Sequence, residues 1–259
     1  MKLWDALDIK FGDVISLVGG GGKTTLMFTL ARELAAAKGT VVTTTTTKIM
    51  EPLPSETSCL ILEEDETCMV TAFLSKRNKC RHITLAKRKL PSGKLDGISP
   101  ELVVRLAGMP EIASIIVEAD GAARKPLKAP NATEPVIPEN TSLVIPVVGV
   151  EAVGCRLTED EVFRPEIVSR LLGLPQGEVI SAEAVALLMT HPQGIIKGCP
   201  PDAMIVPFIN KVDMEGGLSR GRDVASKILA LKNPRIERVV LGHVWLPVPV
   251  AEVILRDRG

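Results

Sequence analysis

Aromatic residues are scarce in this sequence: there is no tyrosine, and Phe, Trp and Tyr together make up 3% of 259 residues. Modules that grip single-stranded RNA or DNA stack bases on such rings, so this chain has little to offer them. An excess of positive charge is missing too, since Lys and Arg total 31 and Asp and Glu total 31. Without a basic surplus, nucleic acid is not an expected partner. Long apolar runs are also absent. The most apolar stretches, Leu143 to Val153 and Val244 to Leu255, are interrupted by Pro or Glu and fall short of the roughly 20 residues a membrane span needs. The N-terminus, MKLWDALDIKFGD, lacks the continuous apolar segment of a secretion signal, so a cytoplasmic location is expected. Cysteines are few and unpatterned. Cys59, Cys68, Cys80, Cys155 and Cys199 are odd in number and contain no C-x-x-C pair, which argues against a disulfide framework or a zinc site.

What is present is aliphatic. Hydrophobic residues make up 46% of the chain, enough for a sizeable core. Short Val/Ile/Leu-rich runs alternate with segments of helical period, the pattern of parallel strands joined by crossover helices. The pattern predicts strands at 14–18, 40–45, 58–63, 82–86, 114–118, 142–148, 204–209 and 238–241. It predicts helices at 24–37, 100–107, 165–172, 182–189 and 218–231. The fold expected is α/β, a three-layer arrangement like that of P-loop NTPases with a mostly parallel central sheet, as a single nucleotide-binding domain over residues 1–259. Two stretches read as loops: 87–97, rich in Lys, Gly and Pro, and 121–140, stiffened by Pro126, Pro130, Pro135 and Pro138.

The strongest chemical signal is VISLVGGGGKTT. A buried strand runs into Gly19, Gly20, Gly21 and Gly22, then Lys23, Thr24 and Thr25, then an amphipathic helix, which is the context a phosphate-binding loop requires. Glycines let successive backbone N–H groups turn toward phosphate oxygens, and the helix N-terminus adds partial positive charge. Lys23 is placed to reach the terminal phosphates, and the Thr24 hydroxyl to hold Mg²⁺. The spacing departs from G-x4-G-K-T, because Leu17 stands where a glycine would. It resembles instead the x-G-G-x-G-K-T-T variant of the signal-recognition class of P-loop proteins. That class often carries a lysine where this chain has Val18, so activation by a lysine from a second copy is not expected.

A second signal, ASIIVEADGAARKPLK, delivers Glu118 and Asp120 at the end of an apolar strand, where carboxylates hold Mg²⁺ directly or through water. Arg124, Lys125 and Lys128 follow and suit an anion beyond the metal. The third is NKVD at 210–213. Asn210, Lys211 and Asp213 match N-K-x-D, in which the aspartate accepts from the guanine N1–H and amine, and this favours GTP over ATP; the alternative is that Asp213 caps a turn. The fourth is VVTTTTTKI. A threonine-rich strand accounts for most of it, but Thr46, Thr47 or Lys48 stand where a γ-phosphate or attacking water would be sensed, and Thr46 is the candidate retained. No aspartate occupies that place, which points to slow hydrolysis.

Taken with VEADGAARKPLKAPNATEPVIP, FRPEIV, LLMTHPQGIIKGCP and PFINKVD, these motifs resemble the YqeC-type accessory proteins of selenium-dependent molybdenum hydroxylases. The resemblance implies a factor that matures or inserts the molybdenum and selenium centre, with the hydroxylase or its molybdenum cofactor as partner. Together the readings point to Mg²⁺-dependent binding and hydrolysis of GTP or ATP, with Lys23, Asp120, Glu118 and Thr46 as candidate catalytic residues. Two alternatives stand beside it: a P-loop small-molecule kinase, and a nucleotide-switched cofactor chaperone with negligible turnover.

Overall fold

A computed structural model describes residues 1–257. After a short helix, α1 (Leu3–Ala6), comes β1 (Val14–Gly19), all six residues of which are buried. A strand apolar on both faces belongs in the middle of a parallel sheet covered by helices on either side, and β1 is found there. It leads through the glycines into α2 (Lys23–Ala37), whose Leu26, Leu30 and Leu34 form the buried stripe. Next come β2 (Thr40–Thr45), β3 (Lys48–Met50), β4 (Cys59–Leu62) and α3 (Glu66–Lys76). They are followed by β5 (His82–Ala86), β6 (Arg88–Lys89) and β7 (Lys94–Asp96). Helix α4 (Pro100–Ala107) starts at Ser99, whose hydroxyl accepts from the Leu102 amide, with Pro100 in the first turn. It leads to β8 (Ile112–Glu118), β9 (Leu127–Lys128), β10 (Leu143–Gly149) and β11 (Val162–Phe163). The last third contains α5 (Pro165–Leu172), α6 (Ala182–Thr190), β12 (Met204–Ile205), β13 (Phe208–Asn210), α7 (Gly217–Ala230), β14 (Arg238–Gly242) and β15 (Val250–Leu255).

The main sheet runs β15-β14-β13-β10-β1-β8-β2-β5-β4, with β12 also on β10, and it is parallel except for β15 against β14. Its two faces bury separate cores. Ile15 and Leu17 of β1 pack with α1 and α2. Val14 and Val18 point the other way, into a core with Phe73 of α3, Leu102 of α4, Leu188 of α6 and Ile228 of α7. Within the main sheet, β8 and the strands that come between β1 and β8 in the sequence lie to one side of β1, and those from β10 onward lie to the other. The strand order therefore reverses at β1, and the crevice beyond the C-terminal ends at such a reversal is where open α/β sheets take ligands.

The expected fold class, α/β with a mostly parallel sheet, is what the chain adopts, with local differences. The stretch 204–209 is two strands, not one. Pro207 has no N–H to give the ladder, so β12 and β13 pair with separate segments of β10. The stretch 87–97 is not a loop. Strands β6 and β7 form a hairpin that pairs antiparallel with β3 in a small second sheet, and Leu95 anchors it by burying its side chain. Helix α3 and strand β15 escape the sequence pattern because each is only partly buried. No helix among the described residues is long and apolar enough to cross a membrane.

Candidate functional site

The glycine loop after β1 is held by the segments around it. The Gly19 N–H donates to Asp120 Oδ2 at 3.1 Å, and the Gly20 and Gly21 N–H groups donate to the carbonyls of Val147 at 2.9 Å and Lys125 at 3.0 Å. Side chains are excluded there. A Cβ on Gly21 would lie 2.0 Å from the Gly149 nitrogen, and Gly22, at φ +117°, would bring one within 2.5 Å of Asn210 Nδ2. Gly22 is also the N-cap of α2, and no side chain caps the helix. The first-turn amides thus carry their partial positive charge toward the crevice without a protein cap.

Under the loop lies a buried chain of alternating charges. The Lys23 ammonium donates to the Gly19 carbonyl at 2.7 Å and sits 3.2 Å from Asp120 Oδ1 and 3.7 Å from Glu118 Oε1. Asp120 Oδ2 meets Lys128 at 2.9 Å. Lys128 in turn meets Glu134 at 3.2 Å, and Glu134 meets Arg164 at 2.8 Å. Lys128 is wholly buried and gives a further hydrogen bond to the Gly121 carbonyl at 2.7 Å. Burial alone would lower the pKa of Lys23, but Asp120 and then Glu118 outweigh it and hold the ammonium above its ordinary value of 10.5. Burial pushes Glu118 above its ordinary 4.5, and Asp120 adds to the rise against the opposing pull of Lys23 and the Thr24 hydroxyl. Half-burial would raise Glu134 as well, yet Lys128 and Arg164 hold it below 4.5.

The donor set suits a hard divalent cation. Thr24 Oγ1 donates to Glu118 Oε2 at 2.7 Å, so a hydroxyl and a carboxylate already adjoin. Asp120 Oδ1 is buried, and the Lys23 ammonium, 3.2 Å away, is its one close polar neighbour among the described residues. A buried carboxylate oxygen with free lone pairs beside a hydroxyl and a second carboxylate is an all-oxygen set fit for Mg²⁺.

Above this floor opens a cleft of about 420 Å³ whose lining includes Lys23, Lys48, Lys94, Arg124, Lys125 and Lys211 against one carboxylate, Glu118. Lys48 and Lys94 come from the small second sheet, and both are exposed. Arg124 belongs to a tight turn in which Ala123 and Arg124 take φ +46° and +63°. Left-handed non-glycine residues cost roughly 1–3 kcal/mol each. The turn is fixed by the Lys125 amide, which donates to the Ala122 carbonyl at 2.9 Å, while the Lys125 carbonyl receives the Gly21 amide. Lys125 Nζ donates to the Asp160 carbonyl and Lys211 pairs with Glu151.

The residues singled out by sequence are thus divided. Gly21, Gly22, Lys23, Thr24, Thr25, Glu118, Arg124, Lys125 and Lys211 line one cleft, with Asp120 in its floor. Asn210 is fully buried and acts as a brace: Nδ2 donates to the Gly21 carbonyl at 2.7 Å, and Oδ1 accepts from the Val244 amide at 3.2 Å. Asp213 is exposed and does not line the cleft. The Thr46 hydroxyl donates to the Val136 carbonyl at 2.6 Å, and Thr46 is not among the residues that line the cleft. Sequence reasoning missed Lys94, Glu134 and Trp245. Lys94 and Trp245 reach the cleft through the hairpin and the β14–β15 connection, neither of which has a motif. Glu134 had a weak signal in the proline-rich stretch, which holds two carboxylates, Glu134 and Glu139, after a run of basic residues.

The family model described as YqeC protein matches residues 15–166, which include the glycine loop, β8 and the charged floor out to Arg164. The chain is also 35% identical over 199 residues to the uncharacterized protein YqeC of Escherichia coli (strain K12), covering 76% of this chain and 75% of that one.

Proposed function

The chain belongs to the YqeC family, and on that premise we propose that it is a P-loop protein that binds and hydrolyses GTP or ATP with Mg²⁺. One observation carries the reading. An uncapped helix N-terminus, a glycine loop that tolerates no side chain and a magnesium-type donor set meet under a cleft lined by six cationic side chains. A triphosphate is the ligand whose charge such a cleft matches.

Each residue has a distinct task. Lys23 neutralises the terminal phosphates, leaving its contacts with Asp120 and the Gly19 carbonyl. Thr24, Glu118 and Asp120 would hold the Mg²⁺, which supplies charge neutralisation between phosphate oxygens. Arg124, Lys125, Lys48 and Lys94 surround the phosphates with positive charge and draw the polyanion into the cleft. Following the motif resemblance, the proposal extends to maturation of the molybdenum and selenium centre of a molybdenum hydroxylase, with that enzyme or its cofactor as the partner.

A second reading, a nucleotide switch with slow turnover, is favoured by one contact. The Thr46 hydroxyl is committed to the Val136 carbonyl, which takes away one of the candidate groups for orienting an attacking water. Titration of the purified chain with GTP and ATP, with and without Mg²⁺, tests the common core of both readings. Binding that needs Mg²⁺ and weakens roughly a hundredfold in Lys23→Ala is the expected result, the size of a lost charged hydrogen bond to phosphate. Binding undiminished in a folded Lys23→Ala variant removes both. Phosphate release over many turnovers separates hydrolysis from the switch.

A further inference from the structure

We propose that the nucleobase is held by stacking on Trp245, and not by hydrogen bonds from the Asn-Lys-Val-Asp turn, so that the site accepts purine nucleotides with little discrimination between ATP and GTP. This rests on the nucleotide reading above and adds the base-binding half of the site.

Four observations lead there. First, Trp245 is 77% exposed in a chain with only two tryptophans, yet it lines the same cleft as Gly21 to Thr25 and Lys211. Second, its ring has no aromatic or cationic partner among the described residues. The ring contacts found are Phe28 with His82, Lys38 on Trp4, and Lys128 and Arg164 on Phe163. A large apolar ring left mostly bare beside a polyphosphate-type cleft offers ring surface to a base.

Third, the ring is not on a loose tether. Asn210 accepts the amide of Val244, the residue before it, while donating to the Gly21 carbonyl. The connection closes on itself as well, with the His243 amide donating to the Pro249 carbonyl at 2.9 Å and the Leu246 amide to the His243 carbonyl at 3.1 Å. One buried side chain therefore ties the loop that would hold the phosphates to the loop that would hold the base. Fourth, the groups that would read guanine are occupied or elsewhere. Both ends of the Asn210 amide are engaged, Lys211 pairs with Glu151, and Asp213 stands exposed outside the cleft. Stacking recognises a π-face that every base presents, and larger rings stack on more area. Purines should bind better than pyrimidines, and the two purines nearly alike.

The test uses the full chain with Trp4→Phe, so that Trp245 is the only tryptophan. ATP, GTP, CTP and inorganic tripolyphosphate are titrated in Mg²⁺ while tryptophan fluorescence is followed, and affinity is measured separately by calorimetry. The expected result is quenching by ATP and GTP at affinities within a few-fold of each other, weaker binding of CTP, and tripolyphosphate binding without quenching. Trp245→Ala should weaken ATP and GTP by roughly tenfold to a hundredfold, and Trp245→Phe should restore most of the loss. Mg²⁺-dependent nucleotide binding that leaves Trp245 fluorescence unchanged and is indifferent to Trp245→Ala overturns the stacking proposal alone. A preference of GTP over ATP by a hundredfold also overturns it, in favour of Asp213. If neither nucleotide nor tripolyphosphate binds, the nucleotide reading falls with it.

Discussion

The floor and the rim of the cleft are both built from charged side chains, but they hold their charges in opposite ways. In the floor, Lys23, Lys128 and Arg164 alternate with Glu118, Asp120 and Glu134, and Glu118, Lys23, Asp120 and Lys128 are buried. On the rim, Lys48, Lys94 and Arg124 are exposed, and no ion pair is found for any of them among the described residues. Buried charges must balance, because an unpaired ion in a low-dielectric interior is costly. Exposed charges need no partner, because water solvates them. The floor is therefore part of the fold as well as of the candidate site, whereas the exposed rim charges of Lys48, Lys94 and Arg124 neutralise no buried partner.

The sharpest way to test that division is to remove one floor cation. Lys128→Met leaves the buried Asp120 and the half-buried Glu134 without their shared counter-ion, and breaking such a buried pair costs about 3–5 kcal/mol. The melting temperature should fall on the order of 10 °C for a chain of this size. A smaller effect is expected from the double variant Lys48→Ala/Lys94→Ala. Its melting temperature should match the parent, while affinity for Mg²⁺-nucleotide drops several-fold and becomes less sensitive to salt. A loss of stability in this variant as large as that of Lys128→Met would erase the distinction between floor and rim.

The smallest effect concerns pH. Glu134 is held below its ordinary 4.5 by Lys128 and Arg164, so the unfolded chain takes up a proton before the folded one does. Its contribution is complete above pH 4.5 and is lost as pH falls through the depressed folded value. The difference in melting temperature between the parent and Glu134→Gln should be largest near neutral pH and close below pH 4.5. A gap independent of pH would contradict the ion-pair assignment.

The same division explains how much the sequence discloses. The glycine loop was legible because close backbone packing admits only glycine, and a run of four before Lys-Thr-Thr has few other uses. Glu118 and Asp120 were legible because they end an otherwise apolar strand. The main parallel strands follow from continuous apolar runs, all of them buried in β1, β8 and β10. Asn210 was legible as a motif but not as a brace, since its partner Gly21 is 189 residues away and no local pattern encodes that contact. Lys94 and Trp245 were not legible at all. A lone lysine in a polar hairpin and a lone tryptophan in a proline-rich turn read as solvated surface until the fold brings them to the cleft.

The central claim is that the amides at the start of α2 receive the phosphates. It is tested most directly by following the backbone amide resonances of Gly19 to Thr25 as Mg²⁺-ATP or Mg²⁺-GTP is added. Binding at the loop predicts large shifts and slowed hydrogen exchange for Gly22 to Thr25, absent in Lys23→Ala. Saturating nucleotide that leaves those amides unshifted and exchanging at the same rate would contradict it.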